Sequence, residues 1–145
     1  MKISKEVQAQ ARRLMRLCIG ADGLMNEATV RQVADKIAAD KPRNYLAHYN
    51  RGLLRASVGE DNLAIEDFNF VLELEPDNTI ALYNRALLLD NIGDYNGAIR
   101  DISAVIKDYP EFWEGYRRRA SIRRKVGDTY GAERDEFKLL QARLD

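Results

Sequence analysis

The sequence predicts an all-α fold: three consecutive helix pairs behind an N-terminal helical hairpin. Three observations carry this prediction. The chain matches itself on a shift of 34 residues, apolar residues recur at helical spacing within each repeat, and glycine and proline fall where helices must end.

The register holds at many places. Gly59, Gly93 and Gly127 align, as do Ala64, Ala98 and Ala132, Arg51, Arg85 and Arg119, Asp67, Asp101 and Asp135, and the pair Pro76 and Pro110. Val58, Ile92 and Val126 are equivalent aliphatics, and Gly52, Ala86 and Ala120 are equivalent small residues. In the first unit a helix runs from Leu46 to Val58. Gly59 stops it, because glycine accepts the left-handed conformation that follows a helix end. Asp61 and Asn62 restart the chain, and a second helix runs to about Glu75, where Pro76 forbids continuation. The second unit has helices from Ile80 to Ile92 and from Asp94 to about Asp108. The third has them from Phe112 to Val126 and from Asp128 to about Leu144. Small residues midway along each first helix, and Ala64, Ala98 and Ala132 on each second helix, let the two axes approach closely. Larger side chains there would overpack. Phe68 and Ile102 supply bulk between units.

These features resemble the tetratricopeptide repeat: the period, the Ala64-x3-Phe68 spacing, the Gly-Asp turn and the proline at the unit's end. The resemblance covers residues 45–144 and implies a right-handed α-solenoid of three tetratricopeptide helix pairs, 45–78, 79–112 and 113–145. The family pattern of Trp, Leu, Gly and Tyr on the first helix is replaced by His48, Arg51, Gly52 and Arg55, by Leu82, Arg85, Ala86 and Leu89, and by Tyr116, Arg119, Ala120 and Arg123. Arginine stands at the leucine place in every unit, and an aspartate recurs sixteen residues later. Ion pairs Arg51–Asp67, Arg85–Asp101 and Arg119–Asp135 are therefore expected, within a unit or across to the next. Glu136 and Arg123 stand where Phe68 and Leu89 stand in earlier units. They are expected on a polar outer face that closes the stack.

Residues 1–44 lie outside the repeat. Ile3, Val7, Leu14, Leu17 and Cys18 make one apolar stripe ended by Gly20 and Gly23. Asn26 caps a second helix with Val30, Val33 and Ile37 on one face, ended by Pro42. This hairpin cannot bury its apolar faces alone, so it is expected to cap the first repeat or to serve as an assembly surface. The stretch from Ala11 to Ala47 also resembles part of the delta subunit of bacterial ATP synthases. That leaves two origins open, a natural helical cap or a chimera of two sources.

Composition narrows function by exclusion. The 145 residues carry 23 basic and 23 acidic side chains, so no global charge draws the chain to nucleic acid or an anionic membrane. The distribution is basic, acidic, basic: residues 1–44 hold nine basic and five acidic side chains, residues 45–112 five and twelve, and residues 113–145 nine and six. The single cysteine, Cys18, rules out an internal disulfide. No apolar run is long enough to span a bilayer, and the N-terminus does not read as a secretory signal, so a cytoplasmic protein is expected. The single histidine, His48, and Cys18 are far apart, which makes no metal cluster. Ser4, Ser57, Ser103 and Ser121 have no histidine nearby to act as base. No catalytic residue, metal or cofactor is expected, and an enzyme is not.

A binding role is expected instead. By the family resemblance, the first helix of each unit lines a concave groove. The lining would be Leu46, Tyr49, Asn50 and Leu53, then Ile80, Tyr83, Asn84, Leu87 and Asn91, then Arg117, Arg118, Ser121, Arg124 and Lys125. Such a groove runs from apolar and aromatic, through amide-bearing, to basic. It suits a protein or peptide partner with apolar residues followed by an acidic segment or a C-terminal carboxylate, which arginine can grip bidentately. The family's clamp for chaperone C-termini is matched by Asn84 and Arg118 but not by Tyr49, Leu53 and Glu114, so chaperone binding is not expected. The alternative is a structural piece that self-associates into a homo-oligomer through the N-terminal helices or the groove.

Overall fold

The computed structural model describes residues 26–40 and 44–142, and every regular element among them is an α-helix. The helices are α1 (Glu27–Asp40), α2 (Tyr45–Ser57), α3 (Asp61–Leu74), α4 (Thr79–Asn91), α5 (Tyr95–Asp108), α6 (Trp113–Lys125) and α7 (Thr129–Gln141). The fold is the predicted one, with three helix pairs of tetratricopeptide type. The chain divides between Ala81 and Leu82 into two compact units. The first helix of the N-terminal hairpin, with Cys18, lies outside the described residues.

Helix ends follow local chemistry. Gly59, Gly93 and Gly127 all have φ between 76° and 85°, the left-handed region where a Cβ would be strained. Asp94 and Asp128 accept hydrogen bonds from the backbone N–H groups of Gly97 and Gly131, both at 2.9 Å, and so cap α5 and α7. Glu60 stands at the equivalent place before α3 and makes no such cap. Its carboxylate instead receives Arg31 Nε from α1 at 2.5 Å.

In the unit before Leu82, α2 packs on α3 and α1 packs on α2. Asn26 caps α1 through Thr29 N–H at 3.0 Å. Val30 and Ala34 are buried against Leu54, with Val33 and Val58 beside them. Helix α1 is thus packed on α2, the first helix of the first repeat. Phe68 fills the space beside Gly52, where an added Cβ would stand 3.2 Å from both Phe68 Cζ and Asp67 Cβ.

From Leu82 onward, Ala86, Ala98, Ile102, Ile106, Tyr116 and Ile122 form one buried cluster that joins α4, α5 and α6. Here α5 packs on α6 and α6 on α7. Gly115 permits the approach of α6, since its missing Cβ would lie 3.0 Å from Ile106 Cγ1 and 2.8 Å from Phe112 Cδ1.

All three expected ion pairs form, each between the two helices of its own unit. Arg51 donates to Asp67 through Nε at 2.8 Å and Nη2 at 2.6 Å. Arg85 donates to Asp101 through Nε at 2.7 Å and Nη2 at 2.8 Å. Arg119 donates to Asp135 through Nε at 2.9 Å and Nη2 at 2.7 Å. The aspartates are buried and the arginines half-buried. A second arginine joins in the outer repeats: Arg55 reaches Asp67 at 2.9 Å and Arg123 reaches Asp135 at 3.0 Å.

Arg123 is a correction to the expected polar outer face. It turns inward to Asp135 and to the Gly131 carbonyl, because it occupies the same place as Arg55. Glu136 does stand at the surface, but Phe137 and Leu140 are exposed beside it, so the face of α7 is partly apolar.

Candidate protein-binding face

The predicted lining residues fall in both units. In the first, Leu46 and Leu53 are half-buried, whereas Tyr49 and Asn50 are buried, 5% and 1% exposed. Tyr49 meets Phe68 edge-on at 5.7 Å. Neither amide atom of Asn50 has a hydrogen-bond partner among the described residues, a costly state for a buried polar group. A partner can touch Tyr49 and Asn50 only by displacing what covers them, which corrects their reading as open lining. Family position marks them as lining, but burial depends on neighbours that position does not reveal.

In the second unit, α4 carries Tyr83, Asn84 and Leu87 half-buried and Asn91 exposed, while α6 carries Arg117, Arg118, Ser121, Arg124 and Lys125 exposed. The Tyr83 ring packs edge-on against Phe112 at 5.0 Å, and its hydroxyl lies close enough to Arg118 to feel its charge. Burial pushes the Tyr83 phenol above its ordinary pKa and the Glu114 charge adds to the rise, while Arg118 opposes it. Burial also works against the Arg118 charge, but the hydrogen bond to Glu114 and the contact with Tyr83 outweigh it and raise its pKa.

The basic residues are already engaged with carboxylates, which the sequence analysis did not anticipate. Glu114 serves two of them, Arg117 at 3.1 Å and Arg118 at 3.0 Å. Arg124 grips Glu136 through Nε at 3.0 Å and Nη2 at 2.7 Å. That hydrogen bond, with the accompanying charge, lowers the Glu136 pKa. Lys125 Nζ sits 2.5 Å from Asp90 on α4 and 5.3 Å from the Tyr95 ring centroid. The Glu114–Arg118 pair could have been read from its four-residue spacing on a helix. So could Glu114–Arg117, three residues apart, whereas Arg124–Glu136 and Lys125–Asp90 link different helices and needed the fold.

His48 is buried, stacked on Phe70 at 3.9 Å, with Nδ1 3.3 Å from Asp67 Oδ1. Its place is in the ion-pair network of the first repeat. Among the described residues no group of three His, Cys, Asp or Glu side chains is arranged to hold a metal, and no helix is long and apolar enough to cross a membrane.

The structure is similar to solved structures of MamA, a tetratricopeptide-type helical repeat protein. One crystal structure of MamA superposes with a TM-score of 0.75 at 19% sequence identity, over 94% of this chain and 82% of that one. MamA 41-end from Desulfovibrio magneticus RS-1 gives 0.75 at 19%, over 90% and 74%. MamA from AMB-1 gives 0.71 at 18%, over 94% and 82%. No protein-family model and no curated protein matches the sequence. At these identities the likeness establishes the fold. It does not show the resemblance of residues 1–47 to ATP synthase delta, most of which lies outside the described residues.

Proposed function

We propose that the chain is a non-catalytic interaction module or scaffold. In this reading it holds a partner peptide on the first helices of its repeats, chiefly through Tyr83, Asn84, Leu87 and Asn91 of α4 with Arg117, Arg118, Arg124 and Lys125 of α6. Helical repeats suit this use because each unit presents one helix face in series. The observation that carries the proposal is the cluster Tyr83–Arg118–Glu114, an aromatic anchor joined to an exposed guanidinium.

The engaged arginines shape the proposal. Exposed ion pairs contribute little net stability, so a partner carboxylate can exchange with Glu114 at small cost. The partner carboxylate can then accept bidentately from Arg118, from which Glu114 accepts through Nε alone. Asn84 and Asn91 bear amides able both to donate and to accept, which suits an extended peptide backbone. The partner segment proposed is apolar followed by an acidic stretch or a C-terminal carboxylate.

The test is a peptide-array screen followed by titration of the best acidic peptide. Arg118→Glu with Tyr83→Ala is expected to weaken binding about tenfold or more. Glu114→Gln is expected to strengthen it, because it removes the internal competitor. Unchanged affinity in both variants would sink the proposal. Light scattering over a concentration series separates this reading from self-association: a monomer at all concentrations leaves the face open to a partner.

A further inference from the structure

The repeat register exposes a second surface. Leu72, Ile106 and Leu140 are equivalent on the 34-residue period. Ile106 is 6% exposed, because the first helix of the next repeat, α6, seats Gly115 and Tyr116 against it. Leu140 is 57% exposed. The neighbouring place shows the same contrast, with Val105 fully buried and Leu139 half-buried. One turn earlier, Ser103 of α5 receives Arg119 Nη1 of α6 at 2.9 Å. Its equivalent on α7 is Phe137, which is 61% exposed. The C-terminal half of α7 therefore repeats the seat that α5 offers to α6, with Phe137 in place of Ser103 and Glu136 in place of Ile102.

We propose that this seat docks an amphipathic helix of a different protein. Continuity with the α5–α6 interface gives the occupant's chemistry. It carries a small residue over Leu140, as Gly115 lies over Ile106, and an aromatic residue directly after it, as Tyr116 follows. Four positions beyond the small residue, where α6 has Arg119, it carries an apolar residue to cover Phe137. This last requirement argues against a second copy. Every repeat of this chain has arginine at that place, Arg51, Arg85 and Arg119, each held by the aspartate of its own unit.

The seat is tested with helix-stabilised peptides of roughly 15 residues, titrated against the full chain. One carries the small–aromatic–x–x–apolar face, and a control carries arginine at the apolar place. The first is expected to bind and to shift amide signals of α7, and the control to bind about tenfold more weakly. Phe137→Glu and Leu140→Glu are each expected to cost about tenfold in affinity. Both residues are exposed, and circular dichroism checks that the variants remain folded. If a variant does not fold, the signal shifts in the unaltered chain decide alone. Arg118→Glu with Tyr83→Ala should leave this binding intact, which separates it from the face on α4 and α6. The proposal is overturned if the first peptide does not bind, if its signals map away from α7, or if it binds no better than the control. A dimer of the unaltered chain that Phe137→Glu and Leu140→Glu both dissolve would also overturn it, since a second copy would then be the occupant.

Discussion

Asp67 accepts from Arg51 and Arg55 and lies beside His48 Nδ1, while its own side chain is 1% exposed. Replacing it with alanine takes the buried carboxylate from Arg51 and leaves Arg55 with exposed Asp35 alone as an ion-pair partner among the described residues. Asp67→Ala is therefore expected to cost about 3 kcal/mol or more, read as a lower urea midpoint, whereas Glu136→Ala at an exposed pair should scarcely move it. The existence of the Arg–Asp pairs was legible because both partners recur with the period. The second arginines were not. Arg55 and Arg123 have no counterpart in the middle repeat, where Leu89 stands, so recurrence could not flag them. The burial of Tyr49 and Asn50 escaped for a different reason: it depends on packing around α2, which spacing along one helix does not encode.

At the scale of elements, the two helices of each unit are matched by volume as well as charge. Gly52 stands against Phe68, Ala86 shares a buried cluster with the smaller Ile102, and Ala120 occupies the equivalent place where the second helix carries Glu136. Gly52→Ala gains helix propensity of about 1 kcal/mol, yet it forces a Cβ against Phe68 and Asp67. A net loss of about 1 kcal/mol is expected. Phe68→Ile should then be less harmful in the Gly52→Ala background than alone, a coupling that a double-mutant cycle on denaturation midpoints measures. Helix ends were the most legible feature, because Gly59, Gly93 and Gly127 take the left-handed conformation that their spacing implied. The missing cap at Glu60 was less so, since its carboxylate answers to Arg31, a partner 29 residues away.

At the scale of the whole molecule, the repeat division and the two compact units locate stability in local pairs. Asp67 and Asp135 belong to different units and share no partner. Their alanine substitutions are therefore expected to add within about 0.5 kcal/mol when combined, checked by chemical denaturation of the double variant. The fold class was legible throughout because a period repeated three times averages out local ambiguity. The state of the basic residues on α6 was not, because Lys125 meets Asp90 at a separation of 35 residues and Arg124 meets Glu136 at 12. The paired volumes have one more consequence. Three nearly identical Arg–Asp pairs would let a helix dock on the wrong neighbour during folding, since charge alone cannot tell one repeat from another. Gly52 and Phe68 supply the missing address. Phe68 set against an alanine in place of Gly52 would collide, and Gly52 set against Ile102 would leave a void, so the two helices of the first repeat recognise each other by size.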